Sequence, residues 1–194
     1  MRQNTTEAWG SAAKSLHWVT VLLVLGIVPV GFLMTATYGA SLKHADLRPL
    51  HVVLQQVHLT LGFTILALVV LRIAARARSA VVPALPGLPG WQRAAARATH
   101  YALYAVLLLF PLSGWASLSV FRGEPLWFFG ARFIPPILPE LPLQHAFGYG
   151  FFAQIHRACW KAGAALLALH VAAALWHHFA RRDGVLRRMW PLAS

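Results

Sequence analysis

Acidic residues are almost missing from this sequence. Five Asp and Glu stand among 194 residues, and charged residues of both signs make up only 11%. Soluble domains carry about a quarter charged residues, so the composition argues against a water-soluble globule. The 58% hydrophobic content argues against disorder as well. Cysteine is equally scarce. The single Cys159 excludes an internal disulfide framework, a Cys-rich zinc site, an all-Cys iron–sulfur cluster and the Cys-x-x-Cys-His attachment of c-type haem. No internal repeat, phosphate-cradling Gly-rich loop or Ser–His–Asp order is present.

What the chain does have is apolar length. A membrane span needs about 20 apolar residues, and four runs qualify, at residues 15–37, 52–74, 100–121 and 152–179. All four are predicted to be helices, because lipid offers no water to unpaired backbone groups. Pro29 and Pro111 fall inside spans, where neighbouring helices tolerate them. The first run carries His17, Trp18 and Pro29 and is too long for a cleaved signal peptide.

The net charge of +12 would point to nucleic acid in a soluble protein. Here the basic residues lie between apolar runs and report topology instead. One side holds Arg2, Lys14, Arg72, Arg76, Arg78, Arg93, Arg97, Arg181, Arg182, Arg187 and Arg188, eleven in all; the other holds six, Lys43, Arg48, Arg122, Arg132, Arg157 and Lys161. The positive-inside rule then places both termini in the cytoplasm of a bacterial inner membrane. Residues 79–92, with Pro83, Pro86, Gly87, Pro89 and Gly90, read as a cytoplasmic loop. Residues 122–151 form the longest connection, rich in proline and carrying Trp127, Phe128 and Phe129. A loop of that kind is functional or interfacial.

Ten histidines are the unusual feature of so apolar a chain. An ionisable side chain inside a span is costly and marks function by default, and four-helix bundles build metal and haem sites from inward-facing side chains. His156, His170 and His177 are separated by 14 and 7 residues. At about 100° per residue they share one narrow helical stripe, with His156 and His170 about 21 Å apart along it. That is too far for one metal and suits two sites stacked across a bilayer. Gly163 lies halfway, where a missing side chain lets a large planar group approach. His58 and His156 each lie a few residues into spans that start on the same side, so they form an outer pair. His17 lies near the inner end of the first span; depth allows His170, His177 or His100 as its partner and slightly favours the last two, because His170 lies about two turns deeper. His44, His145 and His178 read as packing or interface residues, and His51 as interfacial. Zinc fits less well, because it takes three or four protein ligands and no Cys, Asp or Glu lies at the right depth.

These segments resemble the bacterial cytochrome b561 family. SLHWVTVLLVL resembles its first span, VHLTLGFTILALVVLRIAAR its second, THYALYAVLLLFPLSGW its third, EPLWFFG an outer-loop motif, and IHRACWKAGAALLALHVAAALWHHF its fourth. The resemblance covers nearly the whole chain. It implies a four-transmembrane-helix bundle, in one domain over residues 1–194, enclosing two haems b. The implied iron ligands are His17 with His170 for the inner haem and His58 with His156 for the outer. Loop 38–51, the stretch 130–145, and Arg157, Cys159 and Trp160 depart from the family pattern, all on the outer side.

The resemblance further implies electron transfer between a periplasmic one-electron partner and ubiquinone. One member of the family oxidises superoxide, which calls for a positive outer surface. Lys43, Arg48, Arg122, Arg132, Arg157 and Lys161 could provide it, although Arg157 and Lys161 serve at least as well as haem-propionate partners. Arg72 is a possible inner propionate partner or a snorkelling cation. His177 and His178 are the polar candidates for a quinone site, and equally an interfacial pair. Cys159 reads as a packing residue. The alternative function is a cytochrome b membrane anchor passing electrons for a peripheral dehydrogenase or hydrogenase. A His-lined transporter ranks last. Lipid is an expected partner and nucleic acid is not.

Overall fold

The computed structural model describes residues 9–79 and 87–190. Arg2, Pro83 and Pro86 lie outside the described residues. Four helices dominate: α1 (Ser11–Lys43), α2 (Arg48–Arg78), α3 (Gly90–Arg122) and α4 (Tyr149–Trp176). All four helical segments are long and apolar enough to cross a membrane. With 28–33 residues each, they measure about 42–50 Å. α1, α2 and α3 outrun their predicted spans at both ends, with α3 starting ten residues before residue 100, and α4 starts before its span but gives way to a π turn at His177. α1 runs on through Pro29 and α3 through Pro111.

α1 and α2 pack as one antiparallel hairpin and α3 and α4 as another, with α2 against α3 between them. α1 and α4 meet through large rings, such as Phe32 edge-on to Trp160 at 5.3 Å. Little is fully buried: among the described residues the largest side chains with no exposure are Val69, Val120 and Ser119. Leu22, Leu25, Phe32 and Leu169 are more than half exposed, as lipid-facing side chains are.

Both described chain ends lie at one end of the bundle, the terminal face. There the Trp18 indole N–H donates to the Met189 carbonyl (2.8 Å) and the Trp18 and Trp190 rings meet edge-on at 5.7 Å. This strap ties the chain end to α1.

The long connection at the opposite end, the loop face, is ordered. α3 stops at Gly123, whose left-handed φ of 62° closes the helix. Strands β1 (Leu126–Phe128) and β2 (Ala131–Ile134) form an antiparallel hairpin. Its two-residue turn, Phe129–Gly130, has φ of 48° and 79°, the signature of a type I′ turn. The hairpin folds back on α2. The Phe129 N–H donates to Thr60 Oγ1, and Phe128, Phe63 and Trp115 stack edge to face. Ser119 joins loop to helix: its hydroxyl donates to the Trp115 carbonyl (2.8 Å) and accepts from the Ile137 N–H (3.1 Å). Arg132 pairs with Glu124 and lies over the Trp127 ring at 5.1 Å.

Replacing Ser119 with Ala leaves the Ile137 N–H without its acceptor, a cost of about 1 kcal/mol. Limited proteolysis should then cut the 130–145 stretch faster while the four helices stay intact.

Candidate functional site

The fold brings the span histidines together at two depths. Nearer the loop face, His58 of α2 and His156 of α4 have ring centres 6.2 Å apart at 69°. The backbone around them makes room. A Cβ on Gly114 would lie 3.0 Å from His156 Cε1, and one on Gly31 would lie 3.4 Å from His58 Cε1. His156 is oriented by α3: its Nδ1 stands 2.8 Å from the Phe110 carbonyl, to which only an N–H can donate. That hydrogen bond fixes the tautomer and leaves Nε2 as the free lone pair. His58 Nδ1 is a buried nitrogen with no hydrogen-bond partner among the described residues. A buried polar atom in that state is costly unless something binds the ring.

Nearer the terminal face, His170 of α4 meets two rings: His17 of α1 at 6.4 Å and His100 of α3 at 5.4 Å. Depth allowed three partners for His17. The structure brings His170 and His100 to this cluster, while His177 turns away to the Asp183 carboxylate at 2.6 Å. Arg72 lies here too, with Nη2 3.2 Å from His17 Nδ1 and its guanidinium over the Tyr104 ring at 5.5 Å. Because Arg only donates, His17 Nδ1 is the acceptor in this contact. Gly163 faces Val106, which a Cβ would approach to 3.1 Å, so it serves the close approach of α3 and α4.

Metal–imidazole bonds of about 2 Å, with about 1.1 Å from nitrogen to ring centre, set two rings on opposite sides of one ion about 6 Å apart. The 6.2 and 6.4 Å pairs match that spacing, and the 5.4 Å pair falls short of it. Among the described residues no group of three or more His, Cys, Asp or Glu could cage an ion. A ligand that brings its own equatorial donors is what two lone imidazoles suit. The residues present therefore fit haem.

A four-helix membrane bundle that brings imidazoles together two by two has the architecture of a membrane haem protein of the b type. Comparison with known sequences is more specific. Residues 8–192 match the family model for prokaryotic cytochrome b561, and the chain belongs to that family. Cytochrome b561 homolog 2 of Escherichia coli K12 is 28% identical over 187 residues, covering 96% of this chain and 93% of the relative. Homolog 1 of the same organism is 28% identical over 183 residues, covering 91% and 93%. A probable superoxide oxidase, CybB, of Yersinia pestis is 25% identical over 176 residues, covering 91% and 92%. Membership implies haem b as the cofactor and electron transfer in a bacterial membrane as the work.

The remaining histidines sort by their contacts. His51 reaches Thr37 Oγ1 (3.3 Å) and the Tyr38 ring, while His44 and His145 are exposed. Arg157 and Lys161 are exposed on α4 beside His156, and Cys159 is buried. Beyond α4 the helix widens to a π turn over His177–Arg181, and Arg182 closes it in the left-handed region with φ 54°. Asp183 accepts from His177 and from the Val185 N–H and lies 3.5 Å from Arg181. Burial disfavours its charge, but the hydrogen bonds from His177 and Val185 and the nearby Arg181 outweigh this and hold the carboxyl below its ordinary value. Sequence reasoning does not single out Gly31, Phe110, Gly114 or Tyr104. The two glycines are visible in the spans, but their neighbours are set by helix rotation.

Gly114→Ala should push the His156 ring aside, an overpacking cost of about 1–3 kcal/mol. Haem retained per chain should fall, and fall less in Gly31→Ala, as read by pyridine haemochrome. A carboxyl with a lowered pKa stabilises the fold above its unfolded value and loses that contribution as pH drops through the folded one. The thermal midpoint of the protein should therefore exceed that of Asp183→Asn at neutral pH, and the two should converge on acidification.

Proposed function

We propose that the chain carries electrons across the membrane through two haems b, one held by His58 and His156, the other by His17 and His170. The observation that supports this best is the matching ring separation of the two pairs, 6.2 and 6.4 Å, at two depths of one bundle. When bound, haem supplies reversible one-electron storage at its iron. The chain supplies the rest. The Phe110 carbonyl aims His156. Gly31 and Gly114 keep the space beside the rings clear. Arg72, beside His17, is the cation available to an inner propionate, with Arg157 and Lys161 available to the outer ones.

The loop face is the periplasmic side in this reading, with both termini cytoplasmic, because eleven of the basic residues fall on the terminal side and six on the other. The one-electron donor there is superoxide, in line with the name of the Yersinia pestis relative. Of the outer cations, Arg132 is already paired with Glu124; with Arg157 and Lys161 serving the propionates, Lys43, Arg48 and Arg122 are left to attract an anion. Ubiquinone is the acceptor at the terminal face. Two superoxide ions give up one electron each and leave as O₂; one quinone takes both electrons and two protons and leaves as quinol. His177, hydrogen-bonded to Asp183, is the group placed to pass a proton, with His178 beside it.

A second reading rests on the exposed apolar tip of the loop hairpin, Phe129 and Phe133. Such a surface would let a peripheral dehydrogenase or hydrogenase subunit dock on a membrane anchor. Purified protein mixed with superoxide and a short-chain ubiquinone decides between them. The chain alone should form quinol, and His156→Ala and His170→Ala should each lose nearly all turnover. An inactive chain that co-purifies with a soluble subunit supports the anchor instead.

A further inference from the structure

The end of α4 carries a recess beside the His177–Asp183 pair. It is lined by His178, Phe179, Arg182, Asp183 and Arg187. Its walls are fixed by backbone and by one ion pair. The π turn His177–Arg181 and the left-handed Arg182 form one side. The short 3₁₀ turn Arg187–Met189 forms the other, tied back by the Arg188 N–H to the Gly184 carbonyl at 3.1 Å. The His177–Asp183 contact at 2.6 Å locks the turn shut.

The charges in this recess do not balance internally. Its single acid, Asp183, is committed to His177 and to Arg181. Arg181 is committed as well, to Gln92 at 3.0 Å and to the Trp176 ring at 5.5 Å. The side chains of Arg182, Arg187 and His178, by contrast, have no hydrogen-bond or ion-pair partner among the described residues. Two guanidiniums and an imidazole thus line one concave surface, and among the described residues nothing of opposite sign is left to meet them. Two like charges held together on a fixed backbone attract an anion, and the planar fork of each guanidinium matches the oxygens of phosphate.

The surroundings favour a lipid as the bearer of that phosphate. Phe179, 68% exposed, lines the same recess at the last turn of a spanning segment. Trp176 and Trp190 are each 46% exposed at the same end of the bundle, and aromatic side chains of this kind mark headgroup level. Basic pockets at that level bind anionic headgroups. We propose that the recess binds a phosphate group through Arg182, Arg187 and His178, supplied by an anionic phospholipid headgroup whose acyl chain lies along Phe179, or else by free phosphate. The site stands independently of the electron-transfer reading. It takes His178 for the phosphate and leaves His177 with Asp183.

The test uses the full-length, haem-loaded protein in a neutral detergent. Phosphatidylglycerol, phosphatidylcholine and inorganic phosphate are each titrated, with bound adducts counted by native mass spectrometry and the thermal midpoint followed. Phosphatidylglycerol should bind one molecule per chain and raise the midpoint, and phosphatidylcholine should not. Arg182→Gln with Arg187→Gln should cut adduct occupancy about tenfold or more, and the Lys pair should restore part of it. Arg93→Gln with Arg97→Gln removes the same charge from the same face and should bind as the parent does. If inorganic phosphate alone reproduces the effect, the site stands and its ligand is the free ion. Should the Gln pair fail to fold, hydrogen exchange on the parent decides, since phosphatidylglycerol should protect residues 177–190 selectively. Equal binding by the parent and the Gln pair, no binding by the parent, or protection spread over the whole bundle would overturn the proposal.

Discussion

An imidazole inside lipid has no water to bind, so its nitrogens must be met by the protein or by a ligand. That constraint sets how far apart the two helical hairpins stand. The rings of His58 and His156, and of His17 and His170, face each other across the bundle at nearly one separation, 6.2 and 6.4 Å. Packing elsewhere respects it. α1 pairs with α2 and α3 with α4, while α1 and α4 touch through long rings. Glycine stands at position 114, where a side chain would press on the His156 ring, and at position 31, where a Cβ would touch His58.

The two ends of the bundle serve different tasks. At the loop face, a hairpin with a type I′ turn is pinned to α2 at Thr60, two residues past His58, and the segment that follows it is pinned to α3 at Trp115 and Ser119. It thereby stiffens the surroundings of the outer pair. At the terminal face, Trp18 and Met189 strap the chain end to α1 next to His17, and the π turn gathers the acid and bases beyond α4. Burial of apolar area contributes little here, because the lipid is as apolar as the side chains. Close helix contacts and satisfied polar groups specify the arrangement instead.

Much of this is legible in the sequence. The apolar runs locate four spans, and the pairing of His58 with His156 follows from matching depth in two spans that start on the same side. The 14-residue spacing correctly puts His156 and His170 at two levels of one helix. His177 lies where α4 gives way to a π turn, and its ring is taken by Asp183, a contact that helical spacing does not reveal. Depth alone slightly favours His177 and His100 over His170 as partners of His17, since it carries no information on how helices tilt and rotate. The loop hairpin is harder to see. Its turn places Phe129 at φ 48°, a conformation bulky residues avoid, so only Gly130 signals it amid apolar residues and prolines.

The central claim is that the two imidazole pairs hold two haems. The most direct measurement is haem b per chain in the purified protein and in His58→Ala and His17→Ala, with reduced-minus-oxidised spectra. Two haems in the parent, one in each variant, and different bands lost from the two spectra are the predicted result. One haem in the parent, or loss of the same band from both variants, would contradict it.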